Sequence, residues 1–396
     1  MSEYQTSIAA SPAVLQVLPR LVTGGVERGT VEVTAALVAQ GWRAVVASSG
    51  GPMSREIERA GGIHIELPLA SKNPLVMRRN VGRLAAAIVH HRIDIVHARS
   101  RAPAWSALYA SRRTDAHFVT TFHNAYGAET WLKRRYNSVM AQGERVIAIS
   151  EFVANHAAET YGVAPERIRI IPRGVDFVRF DPERTSADRM IRLAREWGLP
   201  DGVPVVMLPG RLTRWKGHFV LLEALRRLGR AGLHCVIVGS GPRRYRRELE
   251  AAIARRPLPC PIRILDECRD MAAAYMLADV VVSASTEPEG FGRVIVEAQA
   301  MGRPVVATAH GGAVETVLPG DTGWLVAPND ADALAAALAA ALDLPAEMRL
   351  ELAERAIAHM RANFTVDLMT ARTLAVYEEV LDTAGAEAQA RDTVAA

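Results

Sequence analysis

The chain has 396 residues, 49% of them hydrophobic and 23% charged, with a formal net charge of +4. That length suits two or three domains of roughly 100–200 residues each, and the composition excludes collagenous, low-complexity and largely disordered classes. No run of about 18 apolar residues suggests a membrane span, no basic region precedes an apolar run at the start, and three scattered cysteines (Cys235, Cys260, Cys268) fit a reducing cytoplasm.

Short apolar runs alternate with helical patterns along the chain. Residues 14–18 read as a strand, 26–40 as a helix, 44–48 as a strand, 54–60 as a helix and 63–67 as a strand. A helix at 75–90, a strand at 93–97, a helix at 102–111 and strands at 118–122 and 145–149 follow. The pattern breaks between Pro172 and Gly202, where Gly174, Pro182 and Pro200 also fall. It restarts with strands at 204–208, 234–239, 262–265, 280–283 and 304–308, separated by helices at 218–229, 243–254, 271–277 and about 292–301. Continuous apolar strands between helices indicate parallel sheets covered on both faces, the doubly wound α/β class. The expected boundary lies near residue 190, giving a first domain at 1–190 and a second at 191–364. A last helix at about 365–381 is expected to cross back to the first domain, with a flexible tail at 382–396.

Ligands of open α/β sheets bind at the carboxyl ends of the strands, so the loops that follow strands are where chemistry is sought. Gly24-Gly25, in PRLVTGGVERGT, follow a strand and open a helix; they suit either a tight turn or a close backbone approach to an anion. His123 ends the run VTTFHN at a strand tip, and His97 in DIVHARS is placed similarly; both readings, structural and functional, stay open for them. In PGRLTRWKG (209–217), Arg211 and Lys216 follow a strand. Two cations there suit a diphosphate, although incidental surface bases would read the same way. VIVGSGP (236–242) has Arg244 where a third fingerprint glycine would stand, which favours a tight turn.

The most specific segment is ASTEPEGFGRVIVEAQAMGRPVVAT (284–308). Glu289 falls in the loop after a strand, Gly290, Phe291, Gly292 and Arg293 open a helix, and Glu297 lies early in it. Carboxylates grip vicinal sugar hydroxyls, and free N–H groups at a helix start hold phosphate. Asp330-Ala331-Asp332 matches a metal-binding D-x-D, but it precedes an alanine-rich helix, so capping explains it and no metal is expected. The basic clusters Lys133-Arg134-Arg135 and Arg243-Arg244 with Arg246-Arg247 fit a solvated surface or an anionic partner such as phospholipid. No nucleic-acid-binding pattern accompanies them.

Together the strings TGGVER, DIVHARS, TTFHN, VIAISEFVA, IPRGVD, PGRLTRWKG, VIVGSGP, EPEGFGRVIVEA and GRPVVATAHGGAVETV, spread over residues 13–380, resemble the retaining glycosyltransferases of family four, which share the GT-B fold. The resemblance implies two facing Rossmann-like domains, an acceptor side first and a nucleotide-sugar side second, with a C-terminal helix crossing back. It implies that Arg211 and Lys216 bind the donor diphosphate, that Glu289 holds the transferred sugar, and that Glu297 grips the ribose. The backbone of Gly290, Phe291, Gly292 and Arg293 would contact sugar and phosphate. Gly25, beside Gly24, would meet the diphosphate, His123 the reacting face of the donor sugar, and the loop around Cys268-Arg269 the base. Arg99, Arg173 and Arg293 depart from the family's usual residues and add positive charge near the expected cleft. They leave the acceptor and the sugar open. The set looks more like bacterial enzymes of lipopolysaccharide or other envelope glycans.

The expected reaction is retaining, metal-independent hexosyl transfer from a nucleotide sugar, UDP-sugar before GDP-sugar, to a glycan or lipid-linked acceptor. No resident cofactor is expected, and the expected location is the cytoplasm, with an anionic inner-membrane surface as a further partner. Negative charge growing on the leaving diphosphate of an oxocarbenium-like transition state would be met by Arg211, Lys216 and helix N–H groups. The resemblance implies front-face attack, with the leaving phosphate taking the acceptor proton. Rival readings are an epimerase of the same fold, a nicotinamide-dependent oxidoreductase and a non-catalytic nucleotide-sugar-binding subunit. The Glu289–Glu297 string counts against the first, the incomplete glycine fingerprint against the second, and Arg211, Lys216 and Glu289 against the third.

Overall fold

The computed structural model describes residues 11–22 and 24–395, with side chains through residue 383. The chain divides into two compact units: Met1–Pro172 with Asp367–Ala396, and Arg173–Val366. In the first unit, strands β1 (Ala13–Val17), β2 (Arg43–Ser48), β3 (Ile63–Glu66), β4 (Ile95–Ala98), β5 (His117–Phe122), β6 (Arg145–Ala148) and β7 (Ile168–Ile170) form a parallel sheet ordered β3-β2-β1-β4-β5-β6-β7. Every residue of β1 is buried, as a strand covered on both faces requires. Its one polar residue, Gln16, is satisfied by donating to Thr30 O and Thr34 Oγ1 on the helix above.

The second unit repeats the plan. Strands β8 (Val205–Pro209), β9 (His234–Val238), β10 (Ile262–Leu265), β11 (Val280–Ser283), β12 (Val305–Thr308) and β13 (Gly323–Val326) are parallel and ordered β10-β9-β8-β11-β12-β13. Val206, Leu208, Ile237 and Val282 of these strands pack with Leu221, Leu225, Leu334 and Leu338 of the covering helices in one apolar core. The doubly wound α/β class expected from the alternation is therefore present in both halves.

Several elements differ from the sequence expectation. The division falls between Pro172 and Arg173 rather than near residue 190. The cause is backbone pairing within the second unit: Val175 bridges Thr365, and its N–H donates to Phe364 O at 2.8 Å. The proline- and glycine-rich break also hides a helix, Ala187–Glu196, tied to the second unit by a 2.6 Å ion pair between Arg189 and Asp270. The last helix runs Val366–Ala395 in place of a helix to 381 with a flexible tail; side chains from residue 384 on, and residue 396 altogether, lie outside the described residues. This helix belongs to the first unit from Asp367 onward. Tyr377 on it is fully buried, with its hydroxyl 2.6 Å from His97 Nδ1, and Glu379 accepts from Arg145 and Arg169. Among the described residues no helix is long and apolar enough to cross a membrane.

Candidate active site

Each sheet reverses its strand order once, at β1/β4 and at β8/β11, and doubly wound sheets bind ligands at such reversals. The loops leaving β8 and β11 meet at the second of these points. Gly217 has φ +72, and a Cβ there would overlap the Ala284 carbonyl oxygen, so only glycine lets the first loop lie against the second. The Thr286 N–H donates to Trp215 O at 2.7 Å across the same seam.

This contact delivers Lys216 to Glu289. Lys216 Nζ lies 2.6 Å from Glu289 Oε1 and 4.5 Å from the centre of the Trp215 ring. The Ser285 hydroxyl donates to the same carboxylate oxygen. The two charged side chains are only 11% and 16% exposed, so their attraction is screened less than on an open surface. Glu289 Oε2 has no partner among the described residues, and Lys216 has further N–H donors to give. One side of the pair is fixed and the other is available to a ligand.

The loop is held from behind as well. The Gly312 N–H donates to Glu289 O at 2.9 Å, and any side chain at Gly311 or Gly312 would collide with the backbone of residues 289 and 291. His310 Nε2 lies 2.9 Å from Ser285 O. Gly292, at φ +84, caps the helix Arg293–Ala300, whose first N–H groups have no intrahelical partner. Phe291 is buried against Phe364, which leaves its ring no part in a ligand contact. Glu297 is fixed at both oxygens: the Tyr275 hydroxyl donates to Oε2 and Arg293 to Oε1, both at 2.9 Å. Burial, and then the Glu297 charge, push the Tyr275 phenol pKa well up, which keeps it a donor.

His218, directly after Gly217, anchors the cation loop. It is fully buried with Nδ1 3.1 Å from the Tyr245 hydroxyl, and burial pulls its pKa down to about 4. Arg211 is exposed and has no side-chain partner among the described residues. Arg269 is also exposed, in the loop after β10, which stands two strands from β8. At one strand spacing each, that is roughly 10 Å from the strand reversal. Gly239 and Gly241 pack against the backbone of Gly210 and Leu212, which matches the tight-turn reading of GSG.

Gly24, Gly25 and His123 belong to the first unit. Gly24 caps the helix Gly25–Ala39 after β1, at that sheet's own reversal. His123 follows β5 and donates its backbone N–H to the Tyr126 hydroxyl at 3.2 Å. His97 is structural: its two ring nitrogens meet Tyr377 and Thr121 at 2.6 and 2.7 Å. A groove of about 840 Å³ opens beside the carboxyl ends of β1, β2 and β3, with Arg20, Ser49, Gly50, Glu66 and Ser71 on its walls.

One sequence expectation, that of added positive charge, changes, while the capping reading of Asp330 holds. The added positive charge is muted, because Arg293 is paired with Glu297, and Arg99 and Arg173 are buried, Arg99 donating to Gln16 at 3.0 Å. Asp330 caps the helix Ala331–Leu342 through the Ala333 N–H, and Asp332 pairs with Arg227 at 2.7 Å, so both acids are occupied structurally. Tyr275 went unnoticed in the sequence, and Ser285, Gly311 and Gly312 were given no role although they lie in the quoted strings. Only the glycine pair carried a usable signal, the same one that marks Gly24-Gly25.

Both units of the chain are similar to known glycosyltransferases. The family profile for glycosyl transferases group 1 matches residues 191–359, and that for glycosyltransferase family 4 matches residues 23–179. A D-inositol 3-phosphate glycosyltransferase of Xylanimonas cellulosilytica is 34% identical over 277 residues, 62% of this chain and 64% of that protein. The putative colanic acid biosynthesis glycosyltransferase WcaL of Salmonella typhimurium is 33% identical over 213 residues, 52% of this chain and 49% of that one. The alignments thus span less than two thirds of these curated relatives. Among solved structures, a glycosyltransferase from Rickettsia africae is 39% identical, covers 94% of this chain and 99% of its own, and superposes with a TM-score of 0.87. Anabaena HepE in complex with UDP-glucose shares the fold at 23% identity, 94% and 99% coverage and a TM-score of 0.80.

Proposed function

The chain belongs to the group 1 glycosyl transferases, and on that premise we propose that it moves a hexose-type sugar from a UDP-sugar to a glycan or lipid-linked acceptor, with retention and without a metal ion. The observation that carries this reading is the Lys216–Glu289–Ser285 cluster at the β8/β11 reversal, beside a helix start. Glu289 Oε2 accepts sugar hydroxyls. Lys216, Arg211 and the N–H groups at 290–293 meet the diphosphate. As the bond from anomeric carbon to diphosphate breaks, charge grows on the departing oxygen and these groups stabilise it. The acceptor oxygen bonds to the anomeric carbon on the same face, and its proton passes to the leaving phosphate. Glu297, pre-oriented by Tyr275 and Arg293, accepts the ribose hydroxyls. Arg269 reaches toward the base.

UDP as the nucleotide is supported by the HepE complex, and an envelope polysaccharide as product by WcaL. Arg20, Ser49 and Glu66 on the walls of the β1–β3 groove suit the hydroxyls of an acceptor. Gly24, Gly25 and His123 are proposed contributors from the first unit, and an anionic membrane surface is the proposed location of the acceptor. The reading is tested by incubating the chain with UDP-, GDP- and ADP-sugars in chelator, following nucleotide release, and fixing the product anomer by NMR. Retained configuration with a UDP-sugar is expected. An inverted product, or activity only with added manganese or magnesium, would contradict it.

A further inference from the structure

A second groove of about 580 Å³ lies in the first unit, between the helices Pro74–His90, Arg101–Thr114 and Trp131–Asn137. It has the size of a small-ligand site, and it shares no residue with the groove beside β1–β3. Met77, Val81, Trp105 and Tyr109 give it an apolar lining, and Arg78, Arg113 and Arg135 are also on its walls.

The lining is built rather than incidental. The Trp105 indole donates to Tyr136 O at 3.0 Å, and its ring stacks on Tyr109 at 6.0 Å between centres. The Ser106 hydroxyl is consumed by Met77 O at 2.9 Å, which removes one polar group from the apolar floor. The three arginines have no acidic partner among the described residues, in contrast to Arg145, Arg189, Arg214, Arg246 and Arg256. The three helices carry three Lys or Arg residues each and no acid, more positive charge than the +4 of the whole chain. Around the groove stand exposed apolar residues: Leu75 at 68%, Trp131 at 71% and Leu132 at 62%. Leu75 lies three residues before Arg78, and Trp131 four before Arg135, so each shares a helix face with a wall arginine.

An apolar trough walled by unpaired guanidinium groups is complementary to one kind of ligand, an anion joined to a hydrocarbon body. We propose that this groove binds a single anionic lipid, its phosphate on Arg78, Arg113 and Arg135 and its chain along Met77, Val81, Trp105 and Tyr109. Leu75, Trp131 and Leu132 would enter the surrounding interface. The inference refines the membrane part of the proposed function, but it concerns binding alone, so it can fail while sugar transfer stands, and the reverse.

The sequence supplies a charge-matched control, because each wall arginine has a neighbour of the same type: Arg79, Arg112 and Arg134. The test titrates the full chain with short-chain phosphatidylglycerol below its micelle concentration, and with inorganic phosphate, by calorimetry. Flotation with vesicles of phosphatidylcholine, alone and with phosphatidylglycerol, is run in parallel. Expected is saturable binding of the lipid that falls at least tenfold in R78Q/R113Q/R135Q and less than threefold in R79Q/R112Q/R134Q, with both variants keeping the wild-type circular dichroism spectrum. M77Q/V81Q should weaken the lipid and leave vesicle attraction largely in place. Equal losses in the two arginine triples would show diffuse adsorption and overturn the site. Inorganic phosphate binding as tightly as the lipid would remove the role of the apolar lining and overturn it equally.

Discussion

Glu289 and Glu297 stand on one loop-and-helix segment and are almost equally buried, with side chains 16% and 11% exposed. Their partners separate them. Glu297 has a donor at each oxygen, from Tyr275 and Arg293, both within the same unit and both on helices. Glu289 takes Lys216 and Ser285 on one oxygen and leaves the other open. A carboxylate held at both oxygens by rigid neighbours is a fixed platform with lone pairs left for a ligand. One held on a single side by a lysine that can itself turn to an anion is a group whose interactions change when a ligand arrives. On the proposed function, the difference suits Glu289 to the reacting sugar and Glu297 to the part of the donor that does not change during reaction.

The contrast breaks most sharply at Glu289. Glu289→Gln keeps the shape and the Ser285 contact but removes the charge. If the carboxylate tightens on the sugar as the transition state forms, turnover falls by about 10²–10³, comparable to losing one preorganised electrostatic contact. A steady-state assay of UDP release with acceptor present checks this, and an unimpaired variant would assign the chemistry elsewhere.

The loop opposite should be sensitive to acid through His218. Its folded pKa of about 4 lies below the ordinary 6.5, so the unfolded chain takes up the proton first. Stability is therefore whole above about pH 6.5 and declines as pH falls toward 4, by up to roughly 3 kcal/mol from this group. Denaturant unfolding of wild type and His218→Gln across that window is the check. The two should converge as pH drops, and parallel profiles would mean that His218 is not the titrating group.

Lys216→Ala comes next in size. On the proposed reading it removes a charge that meets phosphate in ground and transition states alike, so UDP affinity and kcat/KM should fall together, by roughly 1.5–3 kcal/mol. Calorimetry beside the same assay shows whether they move together. The smallest effect belongs to the fixed carboxylate. Glu297→Gln should weaken UDP by about 1 kcal/mol and narrow its advantage over 2′-deoxy-UDP, with little change in the turnover of bound donor. A large turnover defect there would dissolve the distinction between the two acids.

The sequence showed the elements whose pattern is carried by their own residues. Long apolar strands such as Ala13–Val17 and Val205–Pro209 were visible because parallel strands buried on both faces have no polar alternation. Ile168–Ile170 went unseen because a three-residue strand is too short to show a pattern, and Gly323–Val326 because it opens on a glycine, which strands disfavour. Ala187–Glu196 was masked by flanking prolines and glycines, though its own face is amphipathic. Lys216 and Glu289 were legible as charges after strands. Ser285 and Tyr275 were not, because their roles depend on which loops and helices touch across strands distant in sequence. The lengthened last helix illustrates the same limit: its buried Tyr377 is fixed by His97, 280 positions away.

The division of labour between Lys216 and Glu289 is tested most directly by calorimetry of UDP and of an unreactive 2-fluoro analogue of the donor, on wild type, Glu289→Gln and Lys216→Ala. The expected result is that Glu289→Gln binds UDP as well as wild type, or better because Lys216 is released to the phosphates, and loses only the added affinity of the sugar. Lys216→Ala should weaken both ligands by the same factor. Equal weakening of UDP by the two substitutions would contradict the assignment of one loop to the sugar and the other to the diphosphate.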